Sequence, residues 1–243
     1  MLTKATAKFI KSLQLKKYRK QEELFVVEGE KSVLEAITSD FTVELLVGTE
    51  EFYQRHEIDS TTFNIEKVSK KELAAIGSFK TNDGALAVLH QKPNTWLEVD
   101  NELALVLDDI NDPGNLGTII RIADWYGIDK IIASTKTVDL YNPKVIAASK
   151  GSFLRVNTFY TNLEEYLKKS SLVKYTAMMD GNNIHTAELS QTGLIIMGNE
   201  ANGVSEEVLK HADHKISIPR FGGAESLNVA MATAIICDNF RRK

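Results

Sequence analysis

Short apolar runs alternate with amphipathic stretches through the first ninety residues, and this pattern predicts a small α/β domain. Residues 3–17 place Phe9, Ile10 and Leu13 on one side, as an amphipathic helix does. Ser69, with Glu72 three residues later, has the capping-box signature of a helix start. The other predicted elements are strands at Leu24–Val27, Val43–Val47 and Ala85–His90, helices through Val33–Ile37 and Glu50–Arg55, and an extended segment at Phe63–Val68.

The second half alternates buried strands with helical stretches, and a polar segment at 91–101 precedes it as the predicted linker. Such βα alternation predicts a parallel sheet with helices on both faces. We therefore expect one domain over residues 1–92 and another over 100–243. The predicted strands are 103–107, 130–133, 156–159, 175–179, 194–197 and 215–218, and the predicted helices lie near 115–126, 143–149, 162–169, 204–211 and 225–241.

Composition places the chain among ordinary globular proteins. Of its 243 residues, 43% are hydrophobic and 26% are charged. An apolar run of about 18 residues is absent from the sequence, so no membrane span is expected, and the first ten residues lack the apolar core of a signal peptide. The single Cys237 sits in a helical apolar pattern, which predicts a small core residue and a cytoplasmic, reducing location.

Charge is unevenly distributed. The net charge is -4, yet residues 1–20 carry seven lysine or arginine residues and no acid. A basic arm on an otherwise acidic protein is a candidate phosphate-contacting surface. The alternative is a solvated helix face. The basic residues are Lys4, Lys8, Lys11, Lys16, Lys17, Arg19 and Lys20.

The usual nucleotide-binding signatures are missing from the sequence. No G-x-G-x-x-G follows a predicted strand, and no G-x-x-x-x-G-K-[ST] occurs. This argues against a Rossmann dinucleotide site, a P-loop ATPase and the common methyltransferase layout with a Gly-rich first loop. Only His211 and His214 lie close together among the histidines, and no further ligands complete a metal set, so no metal site is expected.

Polar residues instead follow predicted strands at three places. After the strand at 103–107 comes the turn Asp112–Asn115, and the next helix carries Arg121. If Asn115 caps that helix, its side chain and Arg121 can both face the strand ends. A capping asparagine and a surface arginine are the alternative interpretation.

The other two polar segments follow later strands. Gly198 and Gly203 flank Glu200, which suggests close backbone approach to a ligand with Glu200 pointing inward, although a common βα loop with a solvated glutamate has the same sequence. Pro219 and a Gly-rich turn lead to Ser226-Leu227-Asn228, which we expect to open the long terminal helix. Open α/β sheets keep their ligand sites at such strand ends.

Taken in order, these segments resemble the motifs of the SpoU (TrmH-like) family of SPOUT RNA methyltransferases. Asn115-x5-Arg121 resembles the first motif, Gly198-Asn199-Glu200 with Gly203 the second, and Pro219 with residues 225–229 the third. Residues 15–37 and 81–88 resemble the family's RNA-substrate domain, which is similar to ribosomal protein L30. The resemblance covers nearly the whole chain.

This resemblance implies an α/β fold, with a small L30-like domain before a parallel-sheet SPOUT domain that contains a deep trefoil knot. It implies an S-adenosyl-L-methionine-dependent enzyme that methylates a ribose 2'-hydroxyl of RNA, with ribosomal RNA as the leading substrate and transfer RNA as the alternative. It also implies a homodimer formed through the knot and the terminal helix.

The family's functional residues carry over by position. The implied catalytic residues are Arg121, Asn115, Glu200, Ser226 and Asn228, and the implied cofactor-binding residues are Gly198, Ile218, Leu227, Met179, Asn199 and Gly203. Arg121 would act either as a desolvated base or as a cation that stabilises the developing alkoxide. Glu200 could hold the Arg121 guanidinium in a bidentate pair.

Two other functions compete with this one. A non-catalytic RNA-binding protein of the same fold would be favoured by loss of Arg121 or of Ser226-Leu227-Asn228, and all of these residues are present. A generic α/β nucleotide-binding protein is disfavoured by the missing phosphate loops.

Overall fold

The computed structural model describes residues 2–78 and 84–242, and the chain divides into two compact units. The first unit comprises Met1–Pro93 and Tyr141–Leu154, and the second comprises Asn94–Leu140 and Arg155–Lys243. The chain therefore passes between the units three times. None of the helices in the described ranges has the length and hydropathy that a membrane crossing requires.

A four-stranded mixed sheet forms the centre of the first unit. Its order is β1-β4-β2-β3, with β4 antiparallel to both neighbours and β3 parallel to β2. The predicted capping box is confirmed, because Ser69 and Glu72 exchange both hydrogen bonds at the start of α5. Residues 81–83 of the segment resembling the RNA-substrate domain lie outside the described residues. The elements are α1 (Lys4–Ser12), α2 (Lys16–Glu22), β1 (Leu24–Glu28), α3 (Glu30–Ile37), β2 (Val43–Gly48), α4 (Glu50–Arg55), β3 (Ile65–Lys67), α5 (Lys70–Ile76) and β4 (Ala85–His90).

The prediction of one helix over residues 3–17 is wrong, because the chain forms two helices with a break between them. Leu15 adopts an extended conformation and begins α2. Arg19, which is only 2% exposed, reaches back and donates hydrogen bonds to the backbone carbonyls of Leu13 and Gln14. The break is thus stabilised by a buried guanidinium that satisfies the carbonyls at the end of α1.

A segment from the second half of the chain completes the first unit. Its helix α7 (Pro143–Ser149) packs against β1, and a 3-10 turn follows at Ser152–Leu154. The ring of Phe25 lies 4.5 Å from that of Tyr141 and 5.9 Å from that of Phe153. The sequence pattern predicts the helix but gives no sign that it joins this core.

The second unit is built on the predicted parallel sheet. All five pairings among its six strands are parallel, in the order β10-β8-β9-β5-β6-β7. Val106 and Ile196 pack into a cluster with residues of the helices at 163–169 and 206–209, and their neighbours Leu105 and Ile195 are buried too. Since successive side chains of a strand face opposite ways, both faces of the sheet are covered. The strands are β5 (Leu103–Leu107), β6 (Lys130–Ser134), β7 (Asn157–Thr161), β8 (Lys174–Asn183), β9 (Gly193–Met197) and β10 (His214–Ser217).

The second unit itself includes four helices among the described residues: α6 (Pro113–Trp125), α8 (Leu163–Lys169), α9 (Glu206–Leu209) and α10 (Val229–Arg241). The terminal helix α10 packs against α6. Helix α9 is much shorter than the predicted 204–211. Cys237 is fully buried on α10, as predicted, and burial raises the pKa of its thiol to about 12, so it remains a protonated core residue.

Candidate active site

Three side chains from distant parts of the chain join at the carboxyl end of the parallel sheet. The Nδ2 group of Asn228 donates a hydrogen bond to Oδ1 of Asn115 over 2.9 Å. The Nδ2 group of Asn115 in turn donates to Oε1 of Glu200. The Asn115–Glu200–Asn228 cluster therefore links all three polar segments that the sequence singles out.

Asn115 is free to join this cluster because another residue caps its helix. Asp112 is the N-cap of α6, with its Oδ1 accepting from the backbone N–H of Asn115 over 2.8 Å. Pro113 occupies the first helical position, where its missing N–H costs nothing. The expectation that Asn115 caps the helix is therefore wrong. Its side chain projects from the first turn of α6 toward the other two segments.

Asn228 has two roles. Its Oδ1 accepts hydrogen bonds from the backbone N–H groups of Ala230 and Met231, which makes it the N-cap of α10. Its Nδ2 holds Asn115. Because the helix starts at Val229, Ser226 and Leu227 lie in the preceding loop rather than in the helix, and the predicted helix start at 225 is wrong.

The loop that carries Glu200 is tightly closed. Asn199 and Gly203 exchange backbone hydrogen bonds of 2.9 Å, and Nδ2 of Asn199 donates to the carbonyl of Asp109 over 2.7 Å. A Cβ atom on Gly198 would overlap the backbone of Gly203 and Val204. Gly203 has a φ of +68°, a conformation that glycine adopts without strain. Both glycines are thus needed to place Glu200 at the tip of the loop.

Arg121 lies apart from the cluster. It is exposed on α6, six residues beyond Asn115, which turns it roughly 240° around the helix axis. Within residues 2–78 and 84–242, Arg121 forms no hydrogen bond or ion pair. The expected Arg121–Glu200 pair is therefore not formed, and Glu200 binds Asn115. Ser226 is exposed as well. Hydrogen bonds join Asn115, Glu200 and Asn228, whereas Arg121 and Ser226 take no part in them.

The residues expected to bind the cofactor lie on β8 and on the loops after β9 and β10. The pairing of β8 with β10 jumps, since Lys215 faces Thr176 and the next residue, Ile216, faces Asn182. Met179 lies in the intervening stretch of β8 and is 80% exposed. Ile218 directly follows β10 and is half-buried, and Leu227 is exposed.

Asp108 and Asp109, which directly follow the strand at 103–107 and are not among the predicted site residues, support the site in the structure. Oδ2 of Asp108, a buried residue, accepts from the backbone N–H of Ser205 over 2.7 Å. Oδ1 of Asp109 accepts from Oγ of Ser134 over 2.7 Å. Asp109 also has a positive φ of 58°, a conformation that only a few non-glycine residues adopt. Adjacent carboxylates directly after a buried strand are the signal that could have revealed this role.

Family profiles match both parts of the chain. That of the SpoU rRNA Methylase family matches residues 102–238, more than half of the chain. That of the MRM3-like substrate binding domain matches residues 4–87.

Individual relatives are similar over almost the full length. The 23S rRNA (guanosine(2553)-2'-O)-methyltransferase RlmP of Bacillus subtilis (strain 168) is 32% identical over 235 residues, covering 95% of this chain and 94% of the relative. A structure assigned to the TrmH family of RNA methyltransferases, from Porphyromonas gingivalis, is 33% identical with a TM-score of 0.89, covering 99% of this chain and 98% of that one. An AdoMet-bound rRNA methyltransferase from Sinorhizobium meliloti is 28% identical with a TM-score of 0.89, covering 99% and 95%. This chain belongs to the SpoU rRNA methylase family.

Proposed function

We propose that this protein transfers a methyl group from S-adenosylmethionine to a ribose 2'-hydroxyl of ribosomal RNA in the cytoplasm. The observation that carries the proposal is the Asn115–Glu200–Asn228 cluster, which ties three loops together at the edge of a parallel sheet where α/β proteins bind ligands. Ribosomal RNA is the substrate named for the Bacillus relative, and transfer RNA is the alternative.

The segment between β10 and α10 suits the adenosine part of this cofactor. Residues 218–227 belong to no helix or strand of the described chain, so their backbone N–H and C=O groups are outside any helical or sheet ladder. Phe221, Leu227 and Met179 expose apolar side chains, which suit a flat ring. Gly198, Asn199, Gly203 and Ile218 would form the remaining wall. The cofactor supplies an electrophilic methyl group when bound.

The protein must make a ribose hydroxyl nucleophilic. An arginine side chain keeps its positive charge in proteins. Arg121 therefore acts as a cation that stabilises the alkoxide as its proton leaves. Asn115 and Glu200, held by Asn228, position the ribose, and the Ser226 hydroxyl orients it from the loop before α10.

A homodimer accounts for apolar surface on the second unit. Trp125 on α6 is 84% exposed, and Met231 on the adjoining α10 is exposed as well. Arg121 lies one helical turn before Trp125, so both share a face of α6. A symmetric interface over α6 and α10 would bury this surface and bring Arg121 to its edge. Sedimentation equilibrium of the purified protein would measure the expected dimer mass.

The trefoil knot and the likeness of the first unit to ribosomal protein L30 are further parts of the proposal. One close backbone approach supports a threaded C-terminal part. A Cβ on Gly181 would overlap the backbone of Ile216, where the pairing of β8 with β10 jumps. The mixed four-stranded sheet with flanking helices supports the L30 likeness. A crystal structure traced through residues 174–242 would test the knot.

The test of function is methyl transfer from radiolabelled S-adenosylmethionine to RNA lacking native methylation, followed by separation of ribosomal and transfer RNA. We expect label in ribosomal RNA, with resistance to alkaline cleavage at the modified nucleotide. Label in transfer RNA alone would establish the alternative substrate. Failure to bind the cofactor and to transfer label would favour the non-catalytic RNA-binding function.

A further inference from the structure

The helices α1 and α2 present a concentrated positive charge to solvent. Six lysines are exposed, and no acidic residue occurs among the first twenty. None of the six forms an ion pair with a residue in the described ranges. Arg19, the other basic residue of this segment, is buried and structural. The exposed residues are Lys4, Lys8, Lys11, Lys16, Lys17 and Lys20.

These charges have fixed positions. Lys4, Lys8 and Lys11 follow the i, i+4, i+7 spacing that places side chains along one face of a helix, with about 6 Å of rise between the first two. The buried Arg19 joins the end of α1 to α2, and its own carbonyl accepts a hydrogen bond from Gln91 over 3.0 Å. The lysines therefore stand on an anchored pair of helices rather than on a free tail.

Two apolar side chains lie within this basic region. Tyr18 is 37% exposed on α2, and Leu15, the N-cap residue three positions earlier, is 59% exposed. Nζ of Lys17 lies 5.8 Å from the centre of the Tyr18 ring. An exposed ring bordered by cations is the arrangement on which proteins stack the unpaired bases of a nucleic acid.

We infer that this α1–α2 surface, made of the six lysines with Leu15 and Tyr18, binds a single-stranded stretch of the RNA substrate. The inference rests on the proposed function and names the form of RNA that the first unit recognises. Tyr18 stacks on one unpaired base, Leu15 extends that platform, and the lysines contact the flanking phosphates. Bases within a duplex are already stacked on one another, so a paired RNA gains only the phosphate contacts.

The test measures binding of the full-length protein to two fluorescein-labelled RNAs by anisotropy, one an unpaired oligonucleotide and the other a fully paired duplex of the same length. Tyr18→Ala is expected to weaken binding of the unpaired RNA by at least about fivefold while leaving the salt dependence unchanged. Tyr18→Phe keeps the ring and should bind within twofold of the wild type. Duplex binding should respond to neither change.

The charge contribution is measured with a matched pair of double variants. Lys8→Gln with Lys11→Gln should make the slope of log K against log salt less steep by about 1.4 for the unpaired RNA. The control is Lys31→Gln with Lys71→Gln, which removes the same charge from exposed positions of the same unit outside this surface. Its slope should stay at the wild-type value. Equal slope changes in both pairs would overturn the inference. Wild-type affinity of Tyr18→Ala for the unpaired RNA would overturn it too, as would equal losses of affinity in Tyr18→Ala and Tyr18→Phe.

Measurements of methyl transfer distinguish a failure of this inference from a failure of the proposed function. Tyr18→Ala should raise KM for ribosomal RNA about fivefold or more, and circular dichroism and cofactor binding should match the wild type. A wild-type KM in an active Tyr18→Ala variant would refute the α1–α2 surface alone. An inactive wild-type protein whose RNA binding still depends on Tyr18 and on unpaired bases would refute the proposed function alone.

Discussion

The Asn115–Glu200–Asn228 cluster and the α1–α2 surface are both assigned to RNA, yet they are held in opposite ways. Each side chain of the cluster is bonded to a segment far away in sequence, and two of those segments start helices. The lysines of the surface are solvated and form no ion pair with a described residue. The arrangement of the cluster therefore depends on the geometry of single hydrogen bonds, and the loss of one donor or acceptor atom disrupts it. The lysines of the surface act through their number, so the loss of one charge weakens RNA binding only a little.

The largest effect is expected for Arg121→Ala, which removes the proposed alkoxide-stabilising charge. Loss of one such group typically lowers the rate by about 10²–10³-fold. Single-turnover methyl transfer would measure this loss, and isothermal titration should show cofactor binding as in the wild type. Arg55→Ala, which removes an exposed arginine of the first unit, serves as the control for charge. Methyl transfer by the Arg121→Ala variant at the wild-type rate would show that Arg121 takes no part in the chemical step.

Gly198→Ala tests whether the cluster depends on the closed loop that carries Glu200. The added methyl group would overlap the backbone of Gly203 and Val204, so the loop must shift at a cost of about 1–3 kcal/mol in unfolding free energy. Methyl transfer should fall as Glu200 leaves Asn115. Gly222→Ala is the matched control for stability, because its Cβ would meet nothing within 4 Å. Equal denaturation midpoints for the two variants would contradict the closed-loop interpretation.

The apolar pattern predicts the strands reliably, because buried strands are short apolar runs that end at polar turns. Leu103–Leu107 and Ala85–His90 have the bounds that the pattern predicts. Helix ends were less predictable, since the break between α1 and α2 has no glycine or proline to mark it. That break depends on the buried Arg19, whose partners are backbone carbonyls that any residue type supplies. A tertiary contact of this kind leaves no compositional signal.

In the candidate site, too, the sequence predicts which segments contribute but not how their side chains contact one another. The resemblance to the family motifs grouped Asn115, Glu200 and Asn228 with Arg121 and Ser226, and hydrogen bonds in the structure join the first three. The sequence alone could not assign the hydrogen-bond partners of these side chains. A spacing of six residues along a helix, for example, places Arg121 on a different side of α6 from Asn115. Which carboxylate oxygen meets which amide depends on loop closure around Gly198 and Gly203, and therefore on packing.

Arg19→Met tests the claim that the charges of the α1–α2 surface stand on an anchored scaffold. It leaves the carbonyls of Leu13 and Gln14 without their donor, which should cost about 1–3 kcal/mol of unfolding free energy. Lys20→Met makes the same change at an exposed neighbour and should stay within about 0.5 kcal/mol. Urea denaturation measures both. Equal stabilities would mean that the buried guanidinium does not hold the helices. Deletion of residues 1–20 would remove this anchor, so charge-neutral substitutions are the cleaner test of RNA binding.

The smallest effect is expected for Asn228→Asp, which separates the two roles of Asn228. Aspartate is as good an N-cap as asparagine, so unfolding free energy should stay within about 0.5 kcal/mol of the wild type. The variant loses the Nδ2 donor to Asn115 and adds a carboxylate to a cluster that already contains Glu200. Methyl transfer should fall about tenfold, the value of roughly one hydrogen bond.

Asn228→Ala is the comparison variant because it removes both the cap and the donor. It should show the same loss of rate together with about 1 kcal/mol lower stability. In a double-mutant cycle with Asn115→Ala, the rate effects of either change should be far from additive, because the two side chains share one hydrogen bond. Additive effects would show that the cluster behaves like the α1–α2 surface, as independent groups, and the contrast between the two regions would then fail.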